Sequence, residues 1–187
     1  MDERGEFYAL TAPLPADVRL DLGGFWDIGE QEGALAGLIS ALRDADAPLT
    51  DSARGRIAVL AEAWGCWEAL GGPLAACRGN AQAPETAALV ENTAEGVRLD
   101  TAIAEQLAVG NPWPGHAVVA WFACRRCPDL LVRVHKTEPW GRDLIASAYV
   151  LLHTGDDGTG RRSPLAVKGS HHTGWPAFTA LVSTHHR

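Results

Sequence analysis

The amino-acid sequence predicts an α+β fold: an N-terminal antiparallel helical hairpin, a small antiparallel sheet and a short C-terminal helix. Three observations predict it. Apolar residues recur at helical spacing before residue 78, and apolar runs suited to strands replace them after residue 115. The chain has 187 residues, 47% hydrophobic and 21% charged, enough to bury a core in one compact unit. The composition shift divides it into an acidic helical region, 1–78, and a strand-rich region, 79–187.

Residues 1–24 mix turn formers with short apolar pieces, and the alternation Val18-Arg19-Leu20-Asp21-Leu22 reads as a short strand. Asp27 then stands where a helix cap is needed, with Glu30 three residues on to close a capping box and Phe25 placed as the staple. Ile28, Leu35, Leu38, Ile39 and Leu42 supply one apolar stripe, which Asp44-Ala45-Asp46 should end. A second helix starts at Thr50-Asp51-Ser52, carries Ile57, Leu60, Ala61 and Trp64 on its apolar face, and stops at Gly71-Gly72-Pro73.

The middle is less regular. Residues 78–84 read as a loop, 85–92 as a short helix or part of a strand, and 101–109 as a helix. The two prolines of 111–115 exclude regular structure. Residues 117–123 and 130–136 read as strands joined by a turn at Cys124-Arg125-Arg126-Cys127. A third strand is expected at 147–153, a turn at 155–160, a fourth strand at 164–168 and a closing helix at 175–182. Trp175, Phe178 and Leu181 would share a face of that helix.

Charge narrows the function. Residues 1–78 hold thirteen Asp and Glu against six Arg, the whole of the net charge of −7. Such a surface repels nucleic acid and anionic lipid and speeds encounter with a basic protein, though acidity also simply keeps a domain soluble. No apolar run approaches a membrane span, and the charged start Met1-Asp2-Glu3-Arg4 lacks the pattern of an export signal. A cytoplasmic protein is the expectation, with reduced thiols.

The C-x-x-C of Cys124 and Cys127 can seat zinc between two thiolates, and these are the candidate metal ligands. Two further ligands are required. His116 and His135, one on each side of the motif, are nearer than Cys66 and Cys77. The pairs His171-His172 and His185-His186 lack the spacing of a zinc helix. No serine elbow, phosphate loop or dinucleotide fingerprint is present, so the chain reads as a non-enzyme without a required cofactor.

Trp26-Asp27-Ile28-Gly29-Glu30-Gln31-Glu32 is the densest acidic cluster. It reads as the first turn of a helix or as a partner-binding edge, with Trp26, Asp27, Glu30 and Glu32 as the candidate contacts. Of the seven tryptophans, Trp64 and Trp121 read as core. The others, Trp26 among them, cover seams or mark an interface.

Residues 21–38, Pro48-Leu49-Thr50 and 56–65 resemble the helical immunity proteins of bacterial polymorphic toxin systems, the MafI-like proteins in particular. The shared pattern is an acidic lead-in, Glu-x-x-x-Ala-Leu-x-x-Leu at Glu30 to Leu38, and a second helix after a short loop. The resemblance does not reach the C-x-x-C region. It implies a stoichiometric inhibitor that binds a cognate, basic toxin protein and occludes its active site. The competing readings are a zinc-knuckle module, with Arg125, Arg126 and Arg133 contacting phosphate or a protein, and an enzyme of a biosynthetic cluster.

Overall fold

A computed structural model describes residues 2–80, 87–90, 116–127, 129–139, 141–142, 145–154, 160–163 and 174–183. The fold is α+β: helices at the N-terminus, an antiparallel sheet, and a short C-terminal helix. The expected elements at 101–109, 111–115 and 164–168, and both histidine pairs, lie outside the described residues.

Residues 2–27 correct the first expectation, because they form two helices and no strand. Helix α1, Glu3–Thr11, is capped by Asp2, whose carboxylate accepts the Gly5 N–H at 3.0 Å. Helix α2, Ala16–Asp27, follows Pro15. Its inner face carries Val18, Leu22 and Trp26, spaced i, i+4, i+8, with Leu22 and Trp26 buried. The alternation at residues 18–22 therefore belongs to opposite faces of one helix.

Helix α3, Gln31–Asp44, buries Leu35, Leu38, Ile39 and Leu42, as its period predicts. Its start differs from expectation. Asp27 ends α2 and is no cap. Glu30 is itself the N-cap residue of α3, and its side chain makes no cap hydrogen bond. The corner is instead a Schellman ending of α2: Gly29, at φ +95°, donates to Trp26 O at 3.2 Å, and Glu30 N donates to Phe25 O at 2.9 Å. A left-handed residue at this position closes both bonds, and Gly29 takes it without a Cβ clash.

Helix α4, Asp51–Ala63, begins as expected, with Thr50 Oγ1 accepting the Ala53 N–H at 3.0 Å. It ends early, because Gly65 at φ +69° closes a second Schellman turn with Cys66 N donating to Ala61 O. Trp64 thus leaves the helical stripe and is 37% exposed. Helix α5, Trp67–Ala75, then runs through Gly71-Gly72-Pro73, the residues expected to stop it. Helix α3 packs more extensively on α2 than on α4, so the closest helix pair precedes the predicted hairpin.

The sheet comprises β1 (Ala87–Leu89), β2 (His116–Cys124), β3 (Leu130–Glu138), β4 (Gly141–Arg142), β5 (Ala148–Thr154) and β6 (Gly160–Ser163). All pairings are antiparallel, in the order β1-β2-β3-β5-β6, with β4 on β3. On β3 the side chains alternate: Leu131 joins the core shared with the helices, while Leu130, Val132 and Val134 join a second cluster with Ala148 and Val150. The β2–β3 register slips between Ala120 and Phe122, and this bulge gives both Trp121 and Phe122 to the helix-side core. Helix α6, Gly174–Ser183, presses Phe178 onto α4 where Gly55 has no side chain; a Cβ there would lie 2.2 Å from the ring.

A buried ion pair joins α4 to the sheet. Glu62 and Arg133 are both fully buried, and Arg133 Nη1 donates to Glu62 Oε2. Glu62 Oε1 also accepts Ala146 N at 2.8 Å and the Tyr149 hydroxyl at 3.5 Å. The Arg133 guanidinium lies 5.6 Å from the Trp67 ring centre and 5.4 Å from that of Trp121. Arg133 is thus sealed inside the molecule and cannot reach phosphate or another protein, as the zinc-knuckle reading required.

Candidate partner-binding surface

The surface is built by the α2–α3 corner. Because α2 presents Val18, Leu22 and Trp26 inward, residues two positions away on the chain point outward. Leu20, Gly24 and Ile28 repeat i, i+4, i+8 along that outer side, and Phe25 lies beside them. Leu20, Phe25 and Ile28 are 76, 50 and 74% exposed. Leu20 stands in the middle of α2 and Phe25 and Ile28 at its C-terminal end, so the three form a row along this side. Asp17, Asp21, Glu30 and Glu32 surround it; all four are exposed and form no ion pair among the described residues. Arg19 is the one base between them.

The four candidate contacts fare differently. Trp26 is 6% exposed and stacks on Phe7 at 4.3 Å, with Trp64 edge-on at 6.2 Å. It is core, so it cannot be an exposed anchor; Phe25 and Ile28, its chain neighbours, take the outward positions. Asp27 is held by α1: Arg4 Nε and Nη2 donate to its two oxygens at 2.7 and 2.8 Å, and the Tyr8 hydroxyl donates at 3.0 Å. This fork holds the Asp27 carboxyl below the usual carboxylate range. Gly23 permits the approach, since a Cβ there would meet the Tyr8 hydroxyl at 2.7 Å. Glu30 and Glu32 are exposed. Glu32 lies near Cys66, whose thiol is pushed up to about 11 by burial and then by that carboxylate.

The C-x-x-C residues do form the turn between β2 and β3, where Cys124 N donates to Asp129 O at 2.8 Å. Cys124 Sγ accepts the Arg126 N–H at 3.3 Å. Burial pushes the Cys127 thiol up to about 12. His116 and His135 are not close to it. They stand on neighbouring rungs at the other end of the hairpin, roughly 26 Å away at a strand's rise per residue. Among the described residues no group of three His, Cys, Asp or Glu is placed to hold a metal ion. The turn's Arg125 instead binds Asp51 at 3.0 Å.

Sequence alone does not mark Leu20, Phe25 and Ile28 as surface residues, because each also fits a local role: strand, staple and helix stripe. One signal was available. Gly29 after a run with apolar residues four apart marks a helix end, and from that end both faces of α2 can be drawn. No helix among the described residues is long and apolar enough to cross a membrane. No family model, curated protein or solved structure matches this chain.

Proposed function

We propose that the chain is a protein-binding inhibitor, an immunity protein that neutralises a cognate bacterial toxin by covering its basic active site. One observation carries the reading: Leu20, Phe25 and Ile28 are exposed along the outer side of α2 and its C-cap, among the exposed carboxylates of Asp17, Asp21, Glu30 and Glu32. Apolar anchors inside a charged rim have the anatomy of a protein interface. The rim's sign selects a basic partner and speeds its approach. The resemblance of residues 21–65 to immunity proteins points the same way, and the residues it spans include this corner.

Co-expression with the product of the neighbouring reading frame tests the proposal. A stable complex is expected, together with survival of cells that the neighbour alone would kill. Within that complex Phe25→Ala should weaken binding by about 2 kcal/mol, roughly thirtyfold in Kd, as for an interface hot spot. Glu32→Ala should mainly slow association. Absence of a complex, or wild-type affinity in folded Phe25→Ala and Ile28→Ala proteins, overturns it.

A further inference from the structure

The C-x-x-C between β2 and β3 places two thiols side by side. The chain bends at residues 125–127, and Cys124 N donates to Asp129 O at 2.8 Å, which closes the turn behind them. A reversal over four residues brings its first and last Cα atoms within about 7 Å, the reach of a disulfide. The side chains face each other, since the Cys127 thiol is in hydrogen-bond contact with Cys124. The Arg126 N–H donates to Cys124 Sγ at 3.3 Å and holds that sulfur over the turn. Cys124 is buried and Cys127 is partly exposed, so a reagent in water meets Cys127 first. The other two thiols are engaged elsewhere, Cys66 Sγ on Ala61 O at 3.4 Å and Cys77 Sγ on Pro73 O at 3.6 Å.

We propose that Cys124 and Cys127 form a redox switch, a dithiol that closes to a disulfide on reaction with a small-molecule disulfide and so fixes the hairpin tip. In the first step the Cys127 thiolate attacks one sulfur of the reagent. A new S–S bond forms to Cys127, the reagent's S–S bond breaks, and one thiolate leaves. In the second step the Cys124 thiolate attacks Cys127 Sγ and expels the other thiolate. The two cysteines lose one electron each, the reagent is reduced to two thiols, and the two cysteine protons end on them. Contact between the sulfurs makes the second step intramolecular and favours it over a lasting adduct. Burial, and then the neighbouring thiol, keep Cys127 protonated at neutral pH. This slows the first attack, and it withholds the thiolate stabilisation that keeps low-pKa dithiols reduced. Arg125 lies inside the ring that closure forms and reaches Asp51, the first residue of α4, at 3.0 Å. Closure therefore stiffens the place where the hairpin tip meets the helices.

Equilibration of the full chain, reduced and treated with a chelator, against millimolar oxidised glutathione tests this, read by mass spectrometry and thermal unfolding. Trypsin cuts after Arg125 and Arg126, so after alkylation without reduction only a disulfide keeps the Cys124 and Cys127 peptides together. That linked pair is expected, with the mass of the protein lower by two hydrogens. The closed form should melt about 4 °C higher, as for a short loop closed by one disulfide. Cys124→Ala should stop at a glutathione adduct on Cys127, and Cys127→Ser should show no rise in Tm with the oxidant. Absence of the linked pair in folded wild-type protein overturns the proposal, as does a glutathione adduct that persists on its Cys127. Closure that leaves Tm unmoved overturns the fixing of the tip.

Discussion

The α4–sheet seam and the α2–α3 corner are made of the same chemistry and differ in access to water. Each joins a carboxylate to a guanidinium beside aromatic rings: Glu62 with Arg133, Trp67 and Trp121 at the seam, and Asp27 with Arg4 and Tyr8 at the corner. At the seam both charged side chains are buried. At the corner the side chains are 63 and 40% exposed. Water weakens the outer pair, and burial makes the inner one indispensable once formed. The seam therefore holds the helices to the sheet, while the corner fixes α1 against α2 and leaves Leu20, Phe25 and Ile28 exposed.

The largest effect that breaks this contrast is expected from Glu62→Gln. It removes the closest carboxylate of buried Arg133, leaving Glu68 at 4.0 Å among the described ion pairs, and should cost about 3–5 kcal/mol in chemical denaturation. Glu62→Leu combined with Arg133→Met should restore most of that loss, since no buried charge remains. If the single variant loses under 1 kcal/mol, the seam is not the lock described above.

At the corner the expected pattern reverses. Phe25→Ala and Ile28→Ala should leave stability within about 0.5 kcal/mol while reducing partner affinity, because these side chains are exposed in the isolated protein. A large loss of stability in either would show that the outer face of α2 is structural. Gly29→Ala is intermediate. The left-handed backbone at the Schellman turn should cost it about 1 kcal/mol in denaturant melts.

The smallest effect sharpens the comparison through pH. Arg4 and Tyr8 depress the Asp27 pKa, so the stability this pair adds is present above the unfolded carboxylate pKa, about 3.9. It is lost as pH falls through the lower folded value. Titration of Asp27 by NMR should show a midpoint below the usual carboxylate range that moves up in Arg4→Gln protein. High salt should have the same sense of effect, because the pair is exposed.

Much of the fold was legible because its signals are local. The α3 stripe from Leu35 to Leu42, the Thr50 cap and the strands on either side of Cys124–Cys127 follow from periodicity and turn chemistry, and each formed within a few residues of its expected place. Two of the departures trace to particular residues. Asp27 and Glu30 have the spacing of a capping box, but Gly29 between them supplies a left-handed residue, and the Schellman turn takes the Glu30 N–H that the box would use. Val18, Leu20 and Leu22 alternate like a strand, yet Leu22 and Trp26 one turn apart have a core to meet. Tertiary burial overrode the short-range pattern.

The site was legible in its chemistry more than in its membership. Acidic charge around residues 27–32 was plain, and Glu30 and Glu32 project from the surface. Trp26, Phe25 and Ile28 are adjacent apolar residues that sequence ranks alike. Only the packing of α1 and α3 against α2 decided that Trp26 lies inside and the other two outside. The same holds for the arginines. Sequence alone determined how many charges the chain carries and which half holds the acid. It could not say that Arg133 meets Glu62 in the core or that Arg54 is buried against carbonyls, because a charge acquires its partner and its dielectric from segments distant along the chain.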